Sequence, residues 1–465
     1  MFKLNKDVLY LIFEELQDDK KTLYSSLSIN KTCCEIIIPI LWRNPWKYLA
    51  KENIKILFNV VISHLSDESK NKLKAHCNDF STILYQKLLF NYISFCKHLD
   101  LNAIDRIVGT FKHQGSNLTC GTLKNEIYNL FINENTKFTH LNLPRQFDYQ
   151  IHLIPGAKHC FSEIVFLSCY TIILNDDVLT GLAEICQSIE NFELISEEKN
   201  NNYGIIKLID SFKKLTDVRL IVDLTKKNEV DKKFLVILRN SLMKHAHTIR
   251  HFKLSSLPPS SALVKIYWLE LIVFDFLEDM SLSSLQILKF DISHVKAFRN
   301  LIVNANGSLT EISLDNVSFH MEDDNKIIIE TIYQSCPNLK YLKLMLIKEN
   351  FSELEQLLIN CQRLNGLYFF IKSISMIDWD KLFEILTISS PTSLFKFKFN
   401  MIISCELIQL GSFKLFFMNW KGRQPMLLQL DSKRADLIDL IKEYKSEGII
   451  KKFDYLHRNF KDFEW

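Results

Sequence analysis

At 465 residues, 47% hydrophobic and 24% charged, the chain has room for one small and one large domain, or for an extended repeat array. A net charge of +3 gives no bulk electrostatic case for nucleic acid or a membrane surface, and no apolar run reaches the length of a spanning helix. Eleven glycines are far below the usual share of about 7%, which argues against glycine-rich phosphate loops.

The N-terminus carries Lys3, Lys6 and Asp7 where a signal peptide would have an apolar core, so an intracellular protein of the cytoplasm or nucleus is expected. Val8, Leu9, Ile12, Phe13 and Leu16 recur at helical spacing and predict a first helix. Asn5 is placed to cap it, and Asp7 sits in its first turn, where an anion suits the helix dipole. Leu23 and Leu27 mark a second helix that stops near Asn30, and Cys34, Ile37, Ile38 and Leu41 form the stripe of a third. Three helices in under fifty residues make a thin core, so such a module gains by docking its apolar surface on a partner.

The ordered set Leu4, Asp7, Val8, Leu9, Ile12, Phe13, Leu16, then Leu27, Asn30, Lys31, Cys33, Cys34, then Ile38, Pro39, Leu41, Trp42 resembles an F-box. The resemblance covers about a tenth of the chain and implies an α-helical domain over residues 1–46. It implies that Leu4, Val8, Leu9, Phe13 and Leu27 bind a Skp-type adaptor, and through it a cullin ubiquitin ligase. Two positions depart from the pattern. Asn5 stands where the family usually has Pro, and Cys33 where it usually has Trp.

Residues 47–135 read as a helical linker and cap. Ile54, Leu57, Phe58, Val61, Ile62 and Leu65 predict one helix, Ser66-Asp67-Glu68-Ser69 a polar break, and Leu84, Leu88, Tyr92 and Phe95 another helix. A loop is expected around His113-Gln114-Gly115-Ser116-Asn117, and another at Asn200-Asn201-Asn202.

From 136 to 432 an L-x-x-L-x-L pattern recurs irregularly, clearest at Cys336-Pro337-Asn338-Leu339-Lys340-Tyr341-Leu342-Lys343-Leu344. Further copies begin at Cys186 and Cys361, and weaker ones end at Leu143, Phe166, Leu220, Leu254, Phe290, Leu314, Phe399 and Leu430. The mean step is about 29 residues, within the range of a leucine-rich repeat. Between the triplets, Val178, Leu182 and Ile185, then Leu354, Leu357 and Leu358, then Leu382, Ile385 and Leu386 predict helices. A strand and a helix cannot bury their apolar faces alone, but stacked neighbours make a continuous core. The expected fold is therefore α/β, a leucine-rich-repeat solenoid (horseshoe) behind an α-helical F-box and helical linker. The chain is similar to the F-box/leucine-rich-repeat class. Leu437, Leu440, Ile441 and Tyr444 predict a closing helix within a C-terminal cap and aromatic tail, 433–465.

No phosphate-loop, dinucleotide, nucleophile-elbow or H-E-x-x-H motif occurs, and the acidic pairs Asp176-Asp177, Glu197-Glu198 and Asp323-Asp324 read as solvated loop charge. The chain is not expected to be an enzyme or to hold a cofactor. Eleven scattered cysteines include no C-x-x-C, so Cys186, Cys336 and Cys361 read as packing residues. His245, His247 and His251 lack partners at metal-ligand spacing.

The middle residue of each L-x-L triplet faces away from the buried pair. These residues are Asn142, Val165, Glu193, Arg219, Lys253, Lys289, Ser313, Lys343, Tyr368, Lys398 and Gln429, five of them basic. Arg219, Lys253, Lys289, Lys343, Tyr368 and Lys398 form a candidate substrate-binding stripe on the concave face, suited to an acidic or phosphorylated protein. The expected function is substrate recognition for a Skp–cullin–F-box ubiquitin ligase. The alternative is a leucine-rich-repeat binding scaffold that recruits no ligase.

Overall fold

The structure is a computed structural model describing residues 5–47, 49–76, 87–109, 117–172, 176–196, 202–222, 232–256, 276–277, 279–290, 295–314, 322–371, 377–401, 409–430 and 434–455. Leu4, the loop expected at His113–Ser116, and Asn200 and Asn201 lie outside these residues. The chain divides into two compact units, Met1–Leu215 and Thr216–Trp465.

Three helices open the first unit, α1 (Lys6–Glu15), α2 (Lys20–Leu27) and α3 (Lys31–Trp42). Each starts on a side-chain cap: Asn5 accepts from the Asp7 amide, Asp19 from Thr22 and Asn30 from Cys33. Their core is Phe13, Leu23, Cys33, Ile36, Ile37 and Ile40, with Leu9, Leu16, Leu27 and Leu41 packed against it. The buried face of α3 thus lies one residue earlier than the predicted stripe through Cys34 and Ile38. Cys33 fills the core at the position where the F-box pattern has Trp.

Within the first unit, parallel strands β1 (His98–Asp100), β2 (His140–Asn142), β3 (Phe166–Tyr170) and β4 (Asn191–Ser196) pair in chain order. The strand series therefore begins inside the segment read as helical linker, at 98 rather than after 135. That segment does contain the predicted helix, Ile54–Ser63, with Ile54, Leu57, Phe58, Val61 and Ile62 buried. The polar break is a helix start instead, since Ser66 Oγ accepts from the Ser69 amide and the helix Asp67–His76 follows. Of the helix expected through Leu84, Leu88, Tyr92 and Phe95, Leu84 lies outside the described residues and the described part holds a 3-10 turn, Tyr92–Phe95. Ile93 and Cys96, three apart, are the residues it buries.

The second unit repeats the scheme. Strands β5 (Asp217–Val222), β6 (His251–Ser256), β7 (Ile287–Phe290), β8 (Glu311–Leu314), β9 (Tyr341–Met345), β10 (Gly366–Ile371), β11 (Lys396–Met401), β12 (Met426–Leu430) and β13 (Ile450–Tyr455) pair parallel, each with the next. Among the described residues, helices lie between successive strands from β5 to β6 and from β7 to β13, including Phe351–Asn360 and Trp379–Ile388, whose predicted leucine and isoleucine faces are buried. The alternating strand–helix repeat expected from the sequence is present in both units.

Cysteine marks the end of a helix in the clearest repeats. The amides of Cys186, Cys336 and Cys361 donate to Leu182, Ile332 and Leu357, and all three side chains are fully buried. The closing helix Ala435–Ser446 buries Leu437, Leu440, Ile441 and Tyr444 as expected. It is followed by β13, so strand pairing continues past 433, and the rest of the expected tail, 456–465, lies outside the described residues.

Candidate recognition surface

Because side chains alternate across a strand, each L-x-L triplet buries two residues and turns the middle one to the other face. On β9 this buries Leu342 and Leu344 and leaves Lys343 half-exposed. Register carries the middle position from strand to strand. Arg219 aligns with Lys253, Lys289, Ser313, Lys343, Tyr368, Lys398, Gln429 and Asp454 in turn. All six residues of the predicted stripe thus fall in one row of the second unit. Gln429 and Asp454, at its far end, are buried.

The row is not uniform. Arg219 pairs with Asp217 at 3.1 Å, and Asp217 also faces His251 Nδ1 at 3.4 Å. These groups, with Phe252, Lys253, Ile287 and Lys289, line a depression of about 390 Å³. Lys289 pairs at 2.8 Å with Glu311, a carboxylate only 5% exposed. Along β9–β11 the partners change from carboxylates to aromatic rings. Lys343 and Lys398 each place Nζ 4.5 Å from the Tyr368 ring centroid, and Asn400 donates to the Tyr368 hydroxyl at 3.0 Å. A cation over an aromatic face is held by the ring quadrupole.

A neighbouring row completes the cluster and was not read from the sequence. Tyr341, Gly366 and Lys396 are in register, and Lys396 Nζ lies 5.2 Å from the Tyr341 ring centroid. The signal was available two residues before each middle position, where alternation returns to the same face.

The first unit carries a different row: Asp100, Asn142, Ser168 and Glu193. Val165, assigned to this row by sequence, precedes β3, and Ser168 takes its place. Ser168 donates to Glu193 at 2.8 Å. Beside it, the rings of His98 and His140 stack at 3.7 Å, and His140 stacks on Phe166 at 5.3 Å. Burial, and then the charges of His140, Arg43 and Lys47, lower the His98 pKa to about 4.

The N-terminal helices present a second surface. Phe13, expected to contact an adaptor, is a core residue only 6% exposed, because α2 and α3 close over it. Leu9 and Leu27 are half-buried against the same core. Val8 is 42% exposed, and with it Leu11 at 63% and Ile12 at 43%. Spacings of three and four put these three on one helical face. Arg43 braces the module through a two-pronged ion pair with Glu14, at 2.7 and 3.0 Å, which holds the Glu14 carboxyl below its ordinary range. The Arg43 carbonyl accepts from the amides of Lys97 and His98, and the Trp46 indole donates to the His98 carbonyl at 2.7 Å.

His247 meets Ser283 and His251 meets Asp217, so the sequence-adjacent histidines take separate partners. Among the described residues no three His, Cys, Asp or Glu side chains converge for a metal ion, and no helix is long and apolar enough to cross a membrane.

No protein-family model matches the chain, and no curated protein matches it. Among solved structures it is similar to LegL7, a leucine-rich repeat-containing protein from Legionella pneumophila. The identity is 12% and the TM-score 0.34, over 61% of this chain and 90% of LegL7. It is also similar to TLR13 in its complex with ssRNA13, at 14% identity and a TM-score of 0.35, over 64% of this chain and 43% of TLR13. Likeness at this level bears on neither partner nor activity.

Proposed function

We propose that the chain is a leucine-rich-repeat recognition protein whose N-terminal helices dock a Skp-type adaptor of a cullin ubiquitin ligase. The observation that carries this reading is the exposed apolar face of Val8, Leu11 and Ile12 on a helix that is otherwise capped, braced and packed. An apolar face of this kind on a small folded module suits a helix-lined groove on a partner. The F-box resemblance names the partner class. The bonds from Arg43 and Trp46 to the Lys97–His98 segment fix the module to the first strands of its own unit. Proximity is then the chain's whole contribution to ubiquitin transfer, and catalysis belongs to other subunits.

The adaptor surface is accordingly Leu4, Val8, Leu9 and Leu27 as the resemblance implies, joined by Leu11 and Ile12, with Phe13 supporting from within. The test is co-purification of the full chain with a Skp adaptor, wild type against Val8→Asp, Ile12→Asp. Retention by the wild type and loss in a variant of unchanged circular dichroism are expected. A folded wild type that retains no adaptor removes the ligase role.

The alternative is a binding scaffold without ligase recruitment. Asn5 and the buried Cys33, the two departures from the F-box pattern, favour it. Under that reading, deleting the protein leaves its partner's half-life unchanged.

A further inference from the structure

The charge on the second unit's strand row is arranged rather than merely present. From β7 onward cations occupy alternate strands: Lys289 on β7, Lys343 on β9 and Lys398 on β11, with the hydroxyl residues Ser313 and Tyr368 between them. Adjacent strands are about 4.8 Å apart, so alternate positions repeat every ~9.6 Å. Lys343 and Lys398 come from the strands on either side of Tyr368, and each holds its ammonium 4.5 Å from the ring centroid. The two charges therefore stand no more than about 9 Å apart, near that strand repeat.

We infer that this cluster binds an acidic polypeptide segment lying across β9–β11, with carboxylates three residues apart. A polyproline II segment rises about 3.1 Å per residue with three residues per turn, so every third side chain shares a face and recurs at ~9.3 Å. That spacing matches the lysine pair. Tyr368 acts as the spacer that holds the two ammoniums apart, and Asn400 holds Tyr368 through its hydroxyl. Lys396, in the next row, adds a third cation beside them. Lys289, on the same row, is paired with Glu311.

The same geometry disfavours single-stranded nucleic acid. Such ligands use open aromatic faces as stacking platforms. Two lysines lie over Tyr368, and Lys396 lies over Tyr341. The Asp217 and Glu311 carboxylates in the adjoining row would also repel a continuous phosphate backbone.

The inference rests on the repeats being a recognition surface and is independent of adaptor docking. The full chain is titrated against dye-labelled peptides in which Glu recurs every third residue between Pro and Ser. A peptide of identical composition with its Glu residues contiguous is the comparison, and a charge-matched single-stranded oligouridine the competitor. Tighter binding of the spaced peptide is expected. Lys343→Gln, Lys398→Gln should weaken it about tenfold, whereas Lys421→Gln, off the row, should not. Tyr368→Ala keeps every charge but frees the lysines, so the preference for spaced over contiguous peptide should vanish. Equal binding of the two peptides by wild type, no effect of the double variant, or tighter binding of the oligouridine overturns the inference. So does absence of peptide binding by a chain with unchanged circular dichroism. Adaptor retention, measured on the same preparations, shows whether the ligase reading survives that result.

Discussion

The Arg423 guanidinium lies 4.2 Å from the ring centroid of Trp420, a side chain only 1% exposed, while its fork spans the end of the preceding helix. It donates to the carbonyls of Thr387, Ser390 and Pro391 at 3.0, 2.7 and 2.8 Å. Thr387 lies in the last turn of the helix Trp379–Ile388, whose final carbonyls have no partner within the helix. One side chain thus satisfies the end of one repeat while covering the aromatic core of the next. Arg423→Ala should cost about 2–3 kcal/mol in urea unfolding. Arg423→Lys, with the charge but without the planar fork, should recover less than half of that.

His98 makes the first unit sensitive to acid. Asn44 donates to its Nδ1 at 3.2 Å, so that nitrogen accepts only while the ring is neutral, and His140 stacks 3.7 Å away. The folded pKa is lowered to about 4, whereas an unfolded histidine titrates near 6.5. The unfolded chain therefore binds the proton first. The stabilisation is complete above about pH 6.5 and is lost as pH falls towards 4. The urea midpoint should be lower at pH 5 than at pH 7. His98→Phe, which keeps a ring against His140, should narrow that difference without abolishing it, since burial also lowers the pKa of His64 and His140. An unchanged difference would assign the acid sensitivity to other groups.

Which parts were legible in the sequence follows from how each element is buried. The second unit's row was readable because its triplets bury two large apolar residues around an exposed one, as in Leu342-Lys343-Leu344. The copy at β3 misleads because two alternations overlap. Ile164 and Phe166 mimic the triplet, but Leu167 and Cys169 are the residues buried by the strand, with Cys in place of Leu. β1 does carry a triplet, Leu99-Asp100-Leu101 with both leucines buried, but it was missed because Leu101 already opens the next helix and nothing before it repeats the pattern. On α1 the apolar residues nearly encircle the helix. Leu9, Phe13 and Leu16 face the core while Val8, Leu11 and Ile12 face away, and periodicity alone cannot choose between those faces. The Tyr368 cage depends on side-chain reach between strands, which one-dimensional spacing does not encode.

The repeat cysteines should be inert in the native protein. Burial pushes the thiols of Cys96, Cys186 and Cys361 up to about 12 and raises Cys336 as well. The reactive species is the thiolate, and almost none of these buried thiols is ionised even at pH 9, so their alkylation by iodoacetamide should stay slow across pH 7–9. Of the cysteines whose burial is described, Cys34, half-buried on α3, should label first. Mass spectrometry of the alkylated native chain checks the order. Early labelling of Cys336 or Cys361 would mean that the repeats open locally, because those helix ends are fully covered when folded.

The N-terminal helices are part of the array's stability rather than a detachable bead. A first strand exposes a row of unpaired backbone groups, which invites pairing with other chains. Here the Arg43 carbonyl takes the Lys97 and His98 amides, and Trp46, 6% exposed, packs 5.6 Å from Phe131 while donating to His98. Trp46→Ala removes a buried aromatic and a hydrogen bond together and should cost about 3–5 kcal/mol. A chain beginning at residue 48 loses both interactions and should be recovered as aggregate, whereas a chain carrying Val8→Asp, Ile12→Asp should remain monomeric. Size-exclusion chromatography of the two separates them. A soluble, cooperatively unfolding truncated chain would show that the first strands are capped without the helices.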